Sequence, residues 1–394
     1  MKQWWRPFLV VVLVLAVFLG AGWLLRSLGV GTAESASPTG QTPPAQQAPS
    51  PEEEEAPPPM ITTGKVTPQD LLAQRKWPVQ YQGKDLTGLD LTGVTRTDLF
   101  ALSFDTRTKW PTVLPAGFDP VKVLETGKDP GLGVRQLHQQ GITGKGVAVA
   151  VIDFPMNPQH QEFDKSIQYK AFGPTYTHFH GAATASILAG KTVGVAPGAQ
   201  LYFYGAGANS DQEFFDNIAK AIYDVLEVNK KLPAARRIRV ISISTGLPNP
   251  VFMEAITKAE AAGVAVVHCG DWFPSEFDAT GAAPDLDRSL PESYGRWLMW
   301  QRQAPQARYT SPLAAPADYR TTASVDGTDV YVYWGEGGRS WSAPYIAGVI
   351  ALGMQVNPGL TSAEAYKALN ETATRNAQGI PVINPQAFIA RVRK

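Results

Sequence analysis

The fold is decided by the segment GRSWSAPYIAG, which occupies residues 338–348. Residues 346–356 continue it with apolar side chains on nearly every side, which predicts a helix that runs through a core. Since proline is tolerated in the first turn of a helix, Pro344 predicts that Ser340 lies at or just before the helix start. A side chain at that position meets free backbone N–H groups and the positive end of the helix dipole.

Ser340 has two interpretations at this point. It suits a nucleophile whose reaction develops an oxyanion, because the N–H groups at a helix start stabilise negative charge. A serine that only caps a buried helix would show the same pattern. The segment alone favours neither interpretation.

Composition limits the functions that the chain can have. A chain of 394 residues can hold one large domain and further small regions. Lys and Arg together number 35, as do Asp and Glu, so the formal net charge is zero. This balance argues against nucleic acid as a partner. Cys269 is the one cysteine, which excludes an internal disulfide, and we expect it to be a small core residue.

The first sixty residues predict two regions outside the folded domain. Lys2 and Arg6 precede an apolar run at 8–25 that is about long enough to cross a bilayer, and they predict an N-terminus on the inside. We therefore interpret residues 1–30 as a signal anchor or a cleaved signal peptide, which places the rest of the chain outside the cytoplasm, at the cell membrane or secreted. Residues 31–60, rich in Pro and Glu, predict a solvated, disordered linker.

Residues 61–132 predict an N-terminal accessory segment or pro-segment. The sequence DLTGLDLTG at 85–93 repeats with a period of five, but two units are too few to fold alone. We expect this region to be rich in loops and to pack on something larger.

Residues 133–394 alternate strand and helix patterns. This order predicts an α/β fold, a three-layer sandwich with a mostly parallel sheet. Functional sites in such sheets form at the carboxyl ends of the strands. Strands are predicted at 147–152, 201–204, 239–244 and 264–268, helices at 211–229 and 251–262, and a capping box at Thr361 and Glu364 opens a late helix.

Asp153, His180 and Ser340 each lie at a predicted strand or helix terminus. The order Asp, His, Ser is one known arrangement of the nucleophilic triad. A serine hydroxyl is a poor nucleophile until a base removes its proton. A histidine at a helix start tends to stay neutral and can act as that base, while a carboxylate fixes its tautomer.

The region from about residue 133 to the C-terminus resembles the subtilisin-like serine peptidases, the subtilases. Five sequence blocks carry the resemblance in the right order: 144–153, 180–181, 194–199, 240–246 and 338–344. It implies a serine endopeptidase with Asp153, His180 and Ser340 as its triad and a protein or peptide as its substrate. It also implies that the substrate backbone binds at Ser244, Thr245, Gly246 and Gly270.

The sequence departs from the family pattern most at Asp271, where the family has an asparagine that donates a hydrogen bond to the oxyanion. An ionised aspartate cannot donate, whereas a protonated Asp271 and the backbone N–H of Ser340 can. Loss of this donor costs about 10²–10³ in turnover, a figure measured in subtilisin itself. Phe154-Pro155 and Ala182-Ala183 also depart from the pattern.

These departures leave two alternatives to a general endopeptidase. One is a catalytically weak or inactive subtilase-like protein that binds or regulates. The other is a slow enzyme that cleaves its own linker or N-terminal region.

No cofactor is predicted. Residues 178–180, His-Phe-His, could form half of a metal site, but no third ligand follows at diagnostic spacing. Some subtilases bind calcium, and we assign no calcium ligands here. Residues 297–300, Trp-Leu-Met-Trp, lie in a long insertion before the serine segment and predict a lid, a partner surface or plain packing.

Overall fold

The computed structural model describes residues 60–73, 81–163, 167–270 and 276–394. The predicted signal segment at 1–30 and the linker up to residue 59 lie outside these ranges. None of the helices within the described ranges is long and apolar enough to span a membrane.

Within the described ranges the chain forms fifteen strands and eleven helices, with two short 3₁₀ turns at Ala234–Arg236 and Pro291–Ser293. In chain order the elements are β1 (Thr63–Lys65), α1 (Pro68–Ala73), β2 (Gly88–Asp90), α2 (Arg96–Phe100), β3 (Phe104–Asp105), α3 (Pro120–Gly127), α4 (Val134–Gln139), β4 (Ala148–Asp153), β5 (Gln168–Phe172), α5 (Phe179–Ala189), β6 (Gln200–Ala206), α6 (Asp211–Lys231), β7 (Ile238–Ile243), α7 (Pro250–Ala261), β8 (Ala265–His268), β9 (Phe277–Gly281), β10 (Gly295–Arg296), α8 (Leu298–Gln303), β11 (Leu313–Asp318), β12 (Arg320–Ala323), β13 (Tyr331–Trp334), α9 (Arg339–Val356), α10 (Ser362–Thr372), β14 (Thr374–Arg375), β15 (Pro381–Val382) and α11 (Pro385–Val392).

The main sheet has five strands in the order β5-β6-β4-β7-β8, and all of its neighbouring pairs are parallel. All six residues of the central strand β4 are buried, so both of its faces are covered. Helices α5 and α9 pack on each other and on the sheet, and α6 and α7 form a second such pair. This arrangement confirms the predicted α/β fold with a parallel sheet, and the four predicted strands and the helices α6 and α7 lie where the patterns placed them.

Two smaller sheets complete the region around the serine segment. One has the order β10-β9-β11-β15-β14 and mixes parallel with antiparallel pairs. The other has the order β12-β13-β3 and is antiparallel. Because β13 leads directly into the loop before Ser340, this second sheet sets where that loop begins.

Residues 61–132, predicted to be an accessory segment or pro-segment, pack on the region that follows them. Strand β3 of this segment pairs with β13, and its helix α3 lies against β12. A Cβ at Gly127 would stand 2.3 Å from Thr321 Oγ1, so the close approach of α3 requires glycine. The Thr321 hydroxyl donates to the carbonyl of Leu124 at 2.8 Å, which ties the helix to the strand.

Helix α9 is the predicted core helix, and its residues from Trp341 to Met354 are all buried. Gly338 is its N-cap residue, so Ser340 is the second helical residue, at the start as predicted. Pro344 therefore falls in the second turn rather than the first. A proline there has no N–H for the carbonyl four residues earlier, which belongs to Ser340.

Candidate active site

Asp153 ends the central strand β4 and is 3% exposed. One of its carboxylate oxygens, Oδ1, accepts the N–H of Phe154 at 2.7 Å and also contacts His180. The other, Oδ2, accepts the hydroxyl of Thr184 at 3.1 Å. With both oxygens engaged, the carboxylate has a fixed orientation at the carboxyl edge of the sheet.

His180 is the second residue of α5, and its Nδ1 lies 2.7 Å from Asp153 Oδ1. A carboxylate can only accept a hydrogen bond, so Nδ1 must carry the proton. In the neutral ring Nε2 is then the free base. The ring is 8% exposed and packs edge-on against Trp341, the residue after Ser340, with 5.3 Å between ring centres.

His178 caps the helix that carries His180. Its Nδ1 accepts the N–H of His180 at 3.3 Å, and its ring lies 4.6 Å from that of Phe154. Burial, helped by the nearby His180, lowers the pKa of His178 to about 3, so it is neutral near pH 7 and keeps this acceptor. The described residues hold no group of three or more His, Cys, Asp or Glu side chains that could bind a metal ion. The structure therefore gives His178 the role of a helix cap.

Ser340 is half-buried at the start of α9 and exchanges two hydrogen bonds with Ser244. Its hydroxyl donates to the Ser244 carbonyl at 3.1 Å, and the Ser244 hydroxyl donates to the Ser340 carbonyl at 2.8 Å. The second bond follows from Pro344, because the proline lacks the N–H that would otherwise bind this carbonyl within the helix. The hydroxyl of Ser340 thus points to Ser244 rather than to the imidazole of His180.

The backbone N–H of Ser340 belongs to the first turn of α9, where amides have no acceptor within the helix. Gly338 offers no side chain to cap this turn. Among the described residues the amide has no acceptor, so it can donate to a negatively charged oxygen beside the Ser340 hydroxyl, supported by the helix dipole.

The residues predicted to bind the substrate backbone adjoin Ser340. Ser244 to Gly246 follow the end of β7, and the Thr245 carbonyl accepts the N–H of Cys269 at 3.0 Å. A Cβ at Gly246 would stand 2.1 Å from the nitrogen of Gly270, so these two chains touch backbone to backbone. Cys269 is 4% exposed, as expected of a small core residue. Asp271, the predicted oxyanion residue, lies outside the described residues.

A clamp that the sequence did not reveal holds the loop before Ser340. We use "serine-loop clamp" for Trp297, Arg302 and Asp318, which bind the loop residues Glu336 and Gly337. The Trp297 indole donates to the Gly337 carbonyl at 2.8 Å. Arg302 contacts both carboxylate oxygens of Glu336, at 2.5 and 2.8 Å.

Asp318 is the fully buried member of the clamp. Its carboxylate accepts the N–H of Gly337 at 2.9 Å and that of Leu298 at 2.8 Å, which joins the loop to helix α8. Burial raises the pKa of this carboxyl well above its ordinary value, while the two N–H donors oppose the shift. The insertion at 297–300 therefore holds the serine loop through hydrogen bonds, in addition to packing.

Arg339, directly before Ser340, is also anchored. Its Nη2 donates to the buried carboxylate of Asp278 at 3.0 Å. Asp278 belongs to β9, so the first residue of α9 is tied to the second sheet. The partner of Arg339 lies 61 residues earlier, and no spacing in the sequence pointed to it.

Comparisons with known proteins show which family the sequence resembles. The family model described as the subtilase family matches residues 144–332, which include Asp153 and His180 and end before Ser340. The chain is 26% identical over 278 residues to M-protease of Shouchella clausii, and the match covers 64% of this chain and 66% of that protein. The same identity and share of this chain hold for subtilisin Savinase of Lederbergia lenta, of which 93% is covered.

Two further matches are more distant. Subtilisin E of Bacillus subtilis is 23% identical over 261 residues, which are 60% of this chain and 63% of that protein. The match thus spans just under two thirds of M-protease and of subtilisin E. The solved structure of the prenylagaramide maturation protease PagA aligns with a TM-score of 0.48 and 17% identity, covering 66% of this chain and 98% of that one. Residues 144–332, just under half of the chain, thus match the subtilase family, and the curated relatives support a subtilisin-like serine peptidase.

Proposed function

We propose that this protein is an active serine endopeptidase that cleaves peptide bonds through an acyl-enzyme on Ser340. The observation that carries the proposal is the 2.7 Å hydrogen bond between His180 Nδ1 and the buried carboxylate of Asp153. It leaves Nε2 as the base of a ring that packs against the residue after Ser340. The family match and the names of the relatives, which are proteases and subtilisins, support the same reaction class.

In the first half of the reaction the Ser340 hydroxyl turns from the Ser244 carbonyl toward His180 Nε2. Nε2 removes its proton as Oγ attacks the substrate carbonyl carbon, and Asp153 stabilises the imidazolium that forms. The carbonyl oxygen becomes an oxyanion, to which the Ser340 N–H donates. The C–N bond then breaks, and the leaving amine takes the proton from Nε2.

In the second half water replaces the amine. His180 takes a proton from the water as its oxygen attacks the acyl carbon, and the ester bond to Ser340 breaks. Ser340 recovers its proton from His180, which restores the starting state.

The substrate is a protein or peptide. Ser244 to Gly246 and Gly270 are proposed to pair with its backbone, since they form the chain segments beside Ser340. The apolar segment near the N-terminus supports a location outside the cytoplasm, secreted or at the membrane.

One observation favours a second candidate, a weakly active or inactive subtilase that binds other proteins. The Ser340 hydroxyl is bonded to the Ser244 carbonyl, and Asp271 stands where the family has an oxyanion donor. Such a protein would have the same fold but would not form an acyl-enzyme on Ser340.

A fluorophosphonate probe with mass spectrometry separates the two candidates. An active peptidase carries the adduct on Ser340 and loses it in Ser340→Ala. Ser342→Ala is the matched control, because this serine lies on the same helix, is fully buried and donates to the Ala315 carbonyl. It should label like the parent protein.

No adduct in folded protein at any pH would contradict the peptidase and support the binding protein. Asp271→Asn would then test the oxyanion hole: restored labelling would trace the weakness to this residue. Intact mass over time would show whether the chain cuts only itself.

A further inference from the structure

Two arginines are buried outside the candidate active site. Arg320 of β12 is fully buried, and Arg288 in the insertion before β10 is 4% exposed. Arg320 donates to the carbonyls of Val193, at 3.1 Å, and Asp129, at 3.4 Å. Arg288 Nη1 donates to the carbonyls of Ala282 and Tyr319, both at 3.0 Å. Within the described part of the chain, no carboxylate pairs with either guanidinium.

Several donors of this cluster have no acceptor among the described residues. They are Nε and Nη2 of Arg288, Nε of Arg320 and the hydroxyl of Tyr345, a residue that is itself fully buried. The Nε and Nη2 protons of a guanidinium point the same way and form the fork with which arginine binds an anion through two bonds. Arg288 therefore offers an unused anion-binding edge inside the protein.

The two arginines and the tyrosine form one cluster. The guanidinium of Arg320 lies 5.9 Å from the ring centre of Tyr345. Burial first, and then the positive charge of Arg288, lower the pKa of Arg320 to about 10. Arg288 donates to the carbonyl of Tyr319, the residue directly before Arg320, so the two arginines lie close enough to repel each other.

Asp129, the acidic residue that contacts Arg320, does not neutralise this charge. Asp129 binds Arg320 through its backbone carbonyl, while its carboxylate is 43% exposed and accepts the N–H of Gly131 at 2.9 Å. The carboxylate also lies 3.8 Å from Arg135, at the surface. The negative charge of Asp129 therefore lies at the surface, where Arg135 is its partner.

A buried charge without a counter-charge is strongly unfavourable, and among the described residues neither of these two guanidinium groups has one. Carbonyl oxygens satisfy part of each guanidinium but carry no net charge. Water could fill a donor site, yet it would leave the repulsion between the two cations in place. An anion on the Arg288 fork both accepts from the unfilled donors and offsets the repulsion between the two cations.

We propose that Arg288, Arg320 and Tyr345 hold a small inorganic anion such as chloride in the core of the protein. The fork of Arg288 binds it, and Arg320 Nε and the Tyr345 hydroxyl complete its shell. The site joins the accessory segment through Asp129, the insertion through Arg288, β12 through Arg320, and the helix of Ser340 through Tyr345. Anion binding therefore stabilises the junction of these four regions, whatever the enzyme's activity.

The test measures the melting temperature of the full chain at constant ionic strength, with chloride replacing gluconate, which is too large for a fully buried site. We expect a saturable rise with chloride and with bromide. Tyr345→Phe removes one donor of the site that has no other partner, so it should fold and weaken the apparent anion affinity about tenfold. Tyr81→Phe is the matched control, since Tyr81 is another buried tyrosine with an unpartnered hydroxyl, in the accessory segment.

Crystals grown in bromide should show an anomalous peak beside Arg288, and Arg288→Met should abolish both the peak and the chloride dependence. A chloride response that is equal in Tyr345→Phe and Tyr81→Phe would overturn the proposal. So would the absence of a bromide peak at this position in the parent protein.

Discussion

The histidine half and the serine half of the candidate active site are held in different ways. Asp153 and His180 belong to β4 and α5, are 3% and 8% exposed, and bond directly to each other. Ser340 is half-buried, and its position depends on Ser244 and on the serine-loop clamp. The histidine half is therefore built from the parallel sheet and its helix, whereas the serine half also needs an insertion that lies outside that sheet.

This difference indicates which substitutions should weaken catalysis while the protein stays folded. Changes within the sheet should disturb the base itself. Changes in the insertion should move the nucleophile and leave the Asp153–His180 pair intact. The two kinds of variant can be told apart by the NMR signal of the proton between His180 Nδ1 and Asp153, which we expect at low field.

Asp153→Asn should have the largest effect on turnover. An amide can donate to Nδ1, which favours the imidazole tautomer with its proton on the wrong nitrogen. We expect the turnover number to fall about 10⁴-fold, the order measured on changing the corresponding aspartate in subtilisin itself and in trypsin, which has an unrelated fold.

The measurement for Asp153→Asn is peptide hydrolysis, with the melting temperature as the check on folding. Thr184→Val, which removes the donor to Asp153 Oδ2 and keeps the carboxylate, should cost far less. Turnover within tenfold of the parent enzyme would show that Asp153 does not orient the base.

Arg302→Met tests the serine half by breaking the clamp at Glu336. Both side chains are partly buried, at 27% and 12% exposure, so the change leaves a carboxylate without its partner. We expect about 1–2 kcal/mol of lost stability and about tenfold slower labelling of Ser340 by the fluorophosphonate probe. The low-field signal of His180 should not move.

Lys230→Met is the matched control for Arg302→Met. It removes the cation of an exposed pair with Glu227, whose side chains are 70% and 58% exposed, and should change neither rate nor stability measurably. A shift of the His180 signal in Arg302→Met would mean that the two halves are coupled, and would refute the comparison.

The positions of the three candidate triad residues could be predicted from sequence because each residue stands at the end of a strand or the start of a helix. The apolar run of β4, the small residues of α5 and the core helix α9 have strong local patterns, and Asp153, His180 and Ser340 follow from them. The same holds for the five-stranded parallel sheet.

The supporting contacts could not be predicted because they join distant positions. Arg302 and Glu336 are 34 residues apart, and Arg288 and Arg320 meet only when the insertion folds over β12. Pro344 departs from the local expectation that a proline lies in the first turn of its helix. It lies in the second turn of α9, where Ser244 supplies the hydrogen bond that the proline removes.

His178→Asn tests the histidine half through the pH dependence of folding stability. Burial lowers the pKa of His178 to about 3, against an ordinary value of 6.5. Between these values the unfolded chain binds more protons, so stability is fully present above pH 6.5 and falls as the pH drops toward 3. Asparagine keeps the helix cap and does not titrate.

Below pH 6.5 the unfolding free energy of the variant should therefore fall less steeply with decreasing pH, by up to about 1.4 kcal/mol per pH unit. His268, whose pKa burial also lowers to about 3, retains its own share in the variant. Chemical denaturation from pH 7 to pH 4 measures the slope. An unchanged slope would show that His178 is not buried neutral in the folded protein.

Ser244→Ala should have the smallest effect and addresses the serine half alone. It removes the hydroxyl that donates to the Ser340 carbonyl at 2.8 Å, so we expect a loss of about 1 kcal/mol and labelling slowed a few-fold. Pro344→Ala restores a backbone N–H that can bind the same carbonyl. In that background Ser244→Ala should cost much less, and a double-mutant cycle would measure the coupling. Additive losses would mean that the proline does not create the need for Ser244, and that its hydroxyl serves another purpose than completing α9.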